Sequence, residues 1–516
     1  MEAPAAEDRL TRLPDDLLHS ILRDLPLRQA ARTSALSRRW PRQWLRALAT
    51  SPVVDFAADP DFGRRQSPAQ AAATVNRCLS FHATNGTRLD ALRVAFPYPF
   101  GAFRPDLVGW AALAVERGAR ELELDLTPAA AQAGGAQQEE EEDDDDEGAA
   151  AAILVLPRRL FLASNSLQRL ALGRCSLRDV PPKAAGLAGL RSLALSHTDV
   201  TDDDVRGMLA HCRGLEVLSL RSCRLLSTVQ VAGSKLRVLE LVRCPGVREL
   251  EVAAPALESF ALHGDIISKI TGDQIEDVEV VDENGVVDMD DRVAVLFGVT
   301  PALRDAYVSH LGVATFIDDR YEFDYYNELE SVASAATLTI CSIGLKNLEW
   351  SYNFEFTMKM AKLQELQLLM ASLRDDDVES IVTFFCFAKS PILDRLFIQL
   401  PNGEPADPGA IADWLAGEYE FNDTDDAIVL DNLTFVKVVN FRGSRCELRL
   451  IKFLMDNAPA LEQLVLVTEG APEDELLEDV KMGMSPDGAR ITVCGPSEDG
   501  SRNPQHTRLY YKEEYY

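Results

Sequence analysis

Four stretches of the chain repeat one phrase of leucines: LQRLALGRC at residues 167–175, LRSLALSHT at 190–198, LEVLSLRSC at 215–223 and LRVLELVRC at 236–244. A looser fifth copy, LESFALHGD, occupies residues 257–265. Successive copies begin at residues 167, 190, 215, 236 and 257, so they lie 21 to 25 residues apart. Because the same unit recurs at a nearly fixed period, the sequence predicts a stack of similar supersecondary units that share one core.

The phrase is that of the leucine-rich repeat, L-x-x-L-x-L-x-x-N/C-x-L. In each copy, the alternating leucines form a short strand and point into the core, while the residues between them line the open, concave face. Cys175, Cys223 and Cys244 fall at the N/C position, where a small residue turns the backbone inward. We therefore predict that these cysteines are structural, and that the chain is an α/β leucine-rich-repeat solenoid (horseshoe).

Weaker copies extend the array on both sides, with irregular spacing that indicates degenerate units and long loops. They begin at Leu89, Glu121, Leu345, Leu363, Leu393 and Leu461. Residues 127–152 interrupt the array with a low-complexity insertion that contains nine consecutive acids, and we predict that this insertion is disordered. Residues 318–330 mix acids with tyrosines, which is typical of a decorated loop or of a surface for a basic partner.

The N-terminal segment DRLTRLPDDLLHSILRDLPLRQAARTSALSRRWPRQW, residues 8–44, predicts three short helices. Pro14 suits the first turn of a helix, Pro26 ends that helix, and Ser37 is placed to cap the third one. Three helices in about forty residues are too few to bury this much leucine and tryptophan on their own. The remaining apolar surface either caps the end of the repeat array or docks onto a partner.

This segment resembles the F-box of plant F-box/leucine-rich-repeat proteins. The family pattern LPDxLLxxILxxLP is present at residues 13–26, and TSxLSxRW is present at 33–40 and is followed by Trp44. Pro41 stands where the family usually has a basic residue. The resemblance implies binding to a Skp-family adaptor, which links the F-box to a cullin and its RING subunit.

By position, the resemblance implies that ten residues form the docking surface and its support. They are Leu13, Pro14, Leu17, Leu18, Ile21, Leu22, Leu25, Pro26, Leu36 and Trp40. The turn formed by Leu13 and Pro14, together with Trp40, is expected to supply the anchors, because a few buried contacts dominate most interfaces.

Residues 433–467 read as a strand, a turn at Gly443, an amphipathic helix and a second strand. This segment resembles the FBD module that ends many plant F-box/leucine-rich-repeat proteins, with FxG at residues 441–443 and Glu447 before the helix. We expect it to act as a variant terminal repeat that closes the exposed end of the solenoid. Residues 485–516 carry no usable pattern. The predicted domains are the F-box at 8–50, degenerate N-terminal repeats at 51–126 and the acidic insertion at 127–152. They continue with the leucine-rich repeats at 153–420, which are degenerate after about 265, the FBD-like module at 425–470 and a tail at 485–516.

Composition and charge limit the classes of partner, compartment and activity that the chain is expected to have. The formal net charge is −30, which disfavours nucleic acids and anionic membranes and favours a basic target. The nine cysteines include no CxxC pair, and the N-terminus lacks the apolar stretch of a signal peptide, so we expect the reducing environment of the cytoplasm or nucleus. No catalytic motif or basic pocket stands out, so no enzymatic activity, metal or cofactor is expected.

The resemblance thus implies a non-catalytic substrate-recognition adaptor of a Skp-cullin-F-box ubiquitin ligase, whose repeats hold the protein target for ubiquitination. Candidate target contacts flank the strand leucines: Arg169, Arg191, Glu216, Arg237 and Glu258. Two alternatives remain. One is a repeat scaffold whose N-terminal helices form only an end cap. The other is a helix-turn-helix DNA-binding protein, since residues 8–50 hold nine arginines against four acids.

Overall fold

The structure is a computed structural model of the chain, and the residues it describes form two compact units, Met1–Leu226 and Ser227–Tyr511. The described residues are 13–23, 25, 27–33, 40–57, 66–85, 88–128, 153–162, 166–181, 183–247, 249–264, 269–272, 300–310, 325–350, 358–401, 428, 430–470 and 489–508. Most of the acidic insertion, residues 129–152, lies outside them, and so do residues 318–324.

The first unit alternates helices with short strands. Its helices are α1 (Asp15–Arg23), α2 (Leu27–Arg32), α3 (Trp40–Thr50), α4 (Pro68–Asn85), α5 (Arg104–Glu116), α6 (Arg159–Leu162) and α7 (Asp202–His211). Its strands are β1 (Val53–Asp55), β2 (Ala91–Ala95), β3 (Glu121–Asp125), β4 (Leu154–Val155), β5 (Arg169–Gly173), β6 (Cys175–Ser176), β7 (Ser192–Ser196) and β8 (Val217–Arg221). Strands β1, β2, β3, β5, β7 and β8 pair in that order and all in parallel, as a solenoid with one strand per repeat requires.

The register of these strands aligns the leucines of successive repeats. Leu170 lies opposite Leu193, and Leu193 lies opposite Leu218. All three side chains are buried, and burial of a leucine side chain contributes about 1.5–3 kcal/mol. A slip by one residue would turn every one of these leucines to the open face, so the hydrophobic pattern fixes the register. The predicted leucine-rich-repeat solenoid is confirmed.

A sharp inward turn follows several strands of the array. Arg174, His197, Ser222 and Arg243, which occupy the same place in successive repeats, all have positive φ angles between 50° and 53°. The next residue then points into the core, as the sequence predicted for its cysteines: Cys175, Cys223 and Cys244 are all buried. The Sγ atom of Cys175 lies 3.5 Å from the carbonyl oxygen of Gly173. Because burial raises the pKa of the Cys175 thiol, a reactive thiolate is disfavoured there.

The second unit continues the same design. Its strands are β9 (Thr228–Ala232), β10 (Val238–Val242), β11 (Glu249–Ala253), β12 (Ser259–Gly264), β13 (Lys269–Gly272), β14 (Asp305–His310), β15 (Thr337–Cys341), β16 (Met358–Lys359), β17 (Glu365–Leu369), β18 (Ala388–Lys389), β19 (Arg395–Gln399), β20 (Phe435–Phe441), β21 (Gln463–Thr468) and β22 (Arg490–Cys494). Its helices are α8 (Tyr325–Val332), α9 (Ser342–Trp350), α10 (Asp375–Phe387) and α11 (Arg445–Asn457). Strands β10, β12, β14, β15, β17, β19, β20, β21 and β22 pair in parallel in that order.

The shortest repeats carry a strand on the second side instead of a helix. Strands β9, β11 and β13 form a separate parallel sheet, with Thr228 opposite Glu249 and Glu249 opposite Lys269. The period in this stretch is 21 residues, and the alternating pattern TVQVA suits a half-buried strand.

Two expectations from the sequence are wrong. The copy of the repeat phrase at Leu345 lies in helix α9, and the strand of that repeat is β15, a few residues upstream. Leu345 and Leu348 are buried at a spacing of three residues, which fits a helix face as well as it fits the repeat phrase. The FBD-like segment does not close the array either, because β22 pairs with β21 beyond it.

Within the FBD-like segment, Glu447 fixes the turn that the sequence placed at Gly443. The Oε2 atom of Glu447 accepts hydrogen bonds from the backbone N–H groups of Arg442, Gly443 and Ser444 at 2.8, 2.7 and 3.1 Å. Ser444 returns the contact through its hydroxyl, which completes a capping box at the start of α11. Burial raises the pKa of the Glu447 carboxyl, against the opposing effect of these N–H donors. One buried carboxylate therefore satisfies three backbone donors.

We predict that Glu447→Ala destabilises the turn and α11 by about 1–3 kcal/mol, because three backbone donors lose their acceptor. Hydrogen exchange of the α11 amides measures this local free energy. Asp456→Ala is the matched control, since Asp456 is an exposed acid in the last turn of the same helix and should change exchange little. Equal exchange in both variants would contradict the role given to Glu447.

Candidate docking surfaces

The three N-terminal helices share a small apolar core. Leu18 and Leu22 of α1 pack with Ala30 of α2 and with Trp40 and Ala47 of α3, and all five are buried. Leu13, Leu25 and Trp44 pack against this core while remaining partly exposed. A hydrogen bond of 2.8 Å between the His19 Nε2 atom and the Gln43 side chain also joins α1 to α3. The core therefore uses one face of α1 only.

An adjacent face of α1 carries an apolar pair that is open to solvent. The side chain of Leu17 is 55% exposed and that of Ile21 is 44% exposed. The two residues lie four positions apart, so they are neighbours on one helix face, and exposed Pro14 precedes them at the start of the helix. An apolar pair at helical spacing, rigidly backed by a packed core, has the character of a binding hot spot.

The structure divides the ten predicted adaptor contacts. Pro14, Leu17 and Ile21 are accessible to a partner, and Leu13 and Leu25 are partly so. Leu18, Leu22 and Trp40 lie in the core, so they support the surface rather than contact a partner, which corrects the expectation that Trp40 is an anchor. Pro26 and Leu36 lie outside the described residues.

Helix α3 connects these helices to the first repeats. It packs against α4, and the His82 Nε2 atom lies 2.6 Å from the carbonyl oxygen of Ser51, directly after α3. His82 is itself buried, and burial lowers the pKa of its imidazole, which favours the neutral form. The three helices thus meet the repeats through α3, while the apolar pair on α1 stays open.

We predict that Trp40→Ala opens the helical core, because a buried tryptophan typically contributes about 3–5 kcal/mol. Leu17→Ala removes a similarly apolar side chain from the open face and should leave stability unchanged. Hydrogen exchange of the α1 and α3 amides distinguishes the two variants. Comparable exchange in both would show that the assignment of core and surface is wrong.

The open face of the first unit is polar. Arg93 on β2 bridges Asp55 on β1 and Glu121 on β3, with N–O distances of 2.8 and 2.6 Å. The candidate contact Arg169, at the start of β5, is exposed on this face. Arg191 and Glu216 lie directly before β7 and β8, and the Arg191 Nη1 atom lies 3.4 Å from the Glu216 Oε1 atom. Within the first unit, the predicted target contacts therefore form one ion pair and one exposed arginine.

In the second unit, the corresponding candidates also pair with each other. Two nitrogens of Arg237 contact the two carboxylate oxygens of Glu258 at 3.1 and 2.7 Å. These hydrogen bonds hold the pKa of the Glu258 carboxyl below its ordinary value. Ion pairs this exposed contribute little to stability, so both side chains stay available to a partner.

Farther along the second unit, the open face becomes apolar. One cluster of buried residues there contains Val242, Ala261, Tyr307, Cys341 and Leu369. A second cluster contains Phe397, Phe435, Val465, Val467 and Cys494. All of them lie at strand positions that alternate with the core-facing leucines and valines. This face therefore has an apolar character that the leucine pattern does not require.

Residues 495–508, which we call the crossing segment, lie against this face. The Lys437 ammonium on β20 contacts the Asp499 carboxylate at 2.5 Å and also donates to the Arg502 carbonyl and the Asn503 side chain. The Gln505 N–H donates to Glu365 on β17. The His506 ring bonds to Thr339 on β15 at 2.7 Å and lies 3.2 Å from Asp305 on β14.

Aromatic contacts reinforce both ends of the crossing segment. The Arg502 guanidinium lies 5.9 Å from the ring centroid of Phe435, and the His506 ring meets Tyr307 edge-on with centroids 5.8 Å apart. Hydrogen bonds from Lys437 and Ser501 outweigh the effect of burial and lower the pKa of the Asp499 carboxyl. The crossing segment is thus held by charge, hydrogen bonds and aromatic contact.

The sequence does not indicate these contacts. The crossing segment, GPSEDGSRNPQHTR, has no apolar periodicity, so nothing in it indicates where it lies. One usable signal was Lys437, a lone charge inside the otherwise apolar strand FVKVV. Within the described residues, no cluster of histidine, cysteine or acidic side chains could hold a metal. A search of the same residues finds no helix with the length and apolar character needed to cross a bilayer.

Stacked parallel repeats that follow a small helical module with an open apolar face define a leucine-rich-repeat protein with an N-terminal helical domain. Comparison with known families places three matches along the chain: the F-box domain at residues 10–46, the repeats of the "FBD-associated F-box protein At5g56370, LRR repeats" family at 144–282, and FBD at 428–466. These matches fall on the N-terminal helices, the repeats and the strand–helix–strand segment, and the family resemblance drawn from the sequence is confirmed.

Similar proteins from Arabidopsis thaliana bear the same domain names. The F-box protein At5g03100 is 27% identical over 46% of this chain and 63% of its own length. The F-box/FBD/LRR-repeat protein At3g52680 is 30% identical over 42% of this chain and 40% of its own length. The chain thus spans less than two thirds of either relative. The FBD-associated F-box protein At1g61320 is 21% identical over 91% of both chains.

Proposed function

We propose that the protein is the target-recognition subunit of a Skp-cullin-F-box ubiquitin ligase. F-box domains in general bind a Skp-family adaptor, and F-box/LRR proteins are typically non-catalytic adaptors. In this proposal, α1 docks onto the adaptor, the adaptor connects the chain to the cullin and the RING subunit, and the repeats hold a protein target. The chain contributes by raising the local concentration of the target near the conjugating enzyme and by orienting it.

The observation that carries the proposal is the open apolar pair on α1. If the N-terminal helices served only as an end cap, their apolar side chains would be covered by the repeats. Instead, α3 provides the contact with α4, and Leu17 and Ile21 remain exposed above a filled core. This arrangement favours docking over the cap alternative. It also gives no support to a DNA-reading helix, because the exposed side chains described on α1 are the acid Asp16, the small polar Ser20 and the apolar Leu17 and Ile21.

The proposed site of action is the cytoplasm or the nucleus. All nine cysteines are free, and seven of them are buried. Free thiols at such positions are typical of proteins that fold in a reducing compartment. The target is proposed to contact the open faces of the repeats, where Arg169 and the two pairs Arg191–Glu216 and Arg237–Glu258 are accessible.

We predict that the double substitution Leu17→Ala with Ile21→Ala weakens binding to a recombinant Skp-family adaptor by about 30-fold or more. The reason is that the loss of a hot-spot contact costs about 2 kcal/mol or more. Titration calorimetry with the purified full chain measures the effect. These side chains are better probes than Leu13, which also packs against the helical core and would mix stability with docking.

Leu225→Ala is the matched control, because Leu225 is 56% exposed in the same unit but lies outside the F-box. It should leave adaptor affinity unchanged. Unaltered adaptor binding by the double variant, with its α1 amides still protected from exchange, would falsify the docking surface. If the double variant loses adaptor binding as expected, it still holds its targets without the ligase. Proximity labelling in cells with this variant should therefore enrich targets that escape ubiquitination.

A further inference from the structure

The crossing segment occupies the open face of the second unit as a bound peptide would. Its contacts with strands run from Lys437 on β20 to Asp305 on β14. Strands β20 and β15 are separated by β19 and β17, so they lie about 14 Å apart at the usual spacing between strands. The four residue-to-residue steps from Arg502 to His506 span about 14 Å when extended. The segment therefore crosses the strands in a nearly extended conformation.

Lys437 is the strongest sign that this face is built for a ligand. Its side chain is almost fully buried, and its neighbours in register on the adjacent strands are Phe397 and Val465. A buried ammonium among apolar residues is costly unless it is paired and hydrogen-bonded. Among the described residues, the partners of its ammonium all belong to the crossing segment: Asp499, Arg502 and Asn503. This lysine selects a carboxylate from whatever chain lies on the face.

The other end of the face selects a cation. Asp305 accepts a hydrogen bond from Ser259 at 2.6 Å and faces the His506 ring, while Tyr307 lies beside that ring. Between the two ends, Glu365 accepts the Gln505 N–H and also pairs with Arg395. The face thus offers three sites in a row: the ammonium of Lys437, the Glu365 carboxylate as an acceptor for a main-chain N–H, and the Asp305 carboxylate beside the Tyr307 ring.

The crossing segment itself is suited to reversible binding. Apart from two prolines, residues 496–508 contain no apolar side chain, so their burial adds little hydrophobic stabilisation. Arg502, Asn503 and Gln505 are exposed although their groups touch the strands. A segment that is held by polar and aromatic contacts and buries no aliphatic side chain of its own exchanges with a competitor that offers the same groups and some apolar surface as well.

We propose that the open face of β14 to β20 is a peptide-binding surface whose resident occupant is the crossing segment, and that a partner protein binds there by displacing it. The partner presents an extended segment with a carboxylate for Lys437 and a cationic side chain about seven residues farther on for Asp305. Because the crossing segment is tethered to the same chain, its high effective concentration excludes weak competitors. The inference rests on the proposed function only in that the partner would be a ligase target.

The test uses the full chain with the double substitution Asp499→Asn and His506→Ala, which removes the carboxylate that contacts Lys437 and the ring that contacts Asp305 and leaves the strands unchanged. The probe is a fluorescent synthetic peptide of residues 495–508. We expect the amides of residues 499–506 to exchange at least about tenfold faster in the variant, since bonds to charged groups contribute about 1.5–3 kcal/mol each. We also expect the variant to bind the probe at least about tenfold more tightly than the unsubstituted chain does.

Two controls define the site. A second peptide that carries the same Asp499→Asn and His506→Ala changes should not bind the variant. Adding Lys437→Met to the variant should abolish binding of the first peptide, and Asp305→Asn gives a second, more conservative test if Lys437→Met does not fold. No adaptor is present in these measurements, so their outcome is independent of F-box docking.

Three results would overturn the proposal. If residues 499–506 stay protected in the variant, the crossing segment is a fixed part of the fold. If they exchange rapidly and the probe still fails to bind, the face is not a peptide site. If the unsubstituted chain and the variant bind either peptide equally, the probe is bound elsewhere.

Discussion

Every feature of this protein depends on the parallel pairing of short strands that stack leucine on leucine from one repeat to the next. Leu122, Leu170, Leu193 and Leu218 form one such row in the first unit, and Leu366, Leu396 and Leu464 belong to the matching row in the second. Each repeat is too small to bury its own leucines, so it is stable only when its neighbours cover them. The same pairing fixes which residues reach the open face.

The two faces of the sheets differ in the side chains that they can accommodate. The core face accepts only apolar side chains of suitable volume, which is why leucine recurs there and the repeat can be recognised at low sequence identity. The open face has no such requirement, and the two units use it differently. In the first unit it carries ion pairs such as Arg93 with Asp55 and Glu121. In the second it carries aromatic and aliphatic residues together with the buried Lys437. A buried ammonium in that setting needs close ionic and hydrogen-bond partners, which the crossing segment supplies.

The F-box helices show the same division on a smaller scale. Their core contains Leu18, Leu22 and Trp40, and an adjacent face of α1 presents Leu17 and Ile21. A sequence motif marks all of these positions alike, because it records apolar residues without saying which face each one occupies. Resemblance to the family therefore found the correct segment, and the coordinates were needed to separate contact residues from supporting ones. The misassigned copy at Leu345 has a related cause, since leucines three residues apart suit a helix as well as a strand-and-turn unit.

The sequence by itself determined the repeat period, the parallel solenoid, the inward turns at the cysteines, the F-box and the strand–helix–strand at residues 435–468, because each of these leaves a local periodic pattern of apolar residues or a fixed motif. Only the tertiary structure decided that β22 extends the array, that Arg191 and Arg237 pair with Glu216 and Glu258, and that residues 495–508 cross the open face. The physical reason is the long separation along the chain between the residues that make these contacts. The contact between His506 and Asp305 joins residues about two hundred positions apart through polar groups, and no local periodicity encodes such a contact.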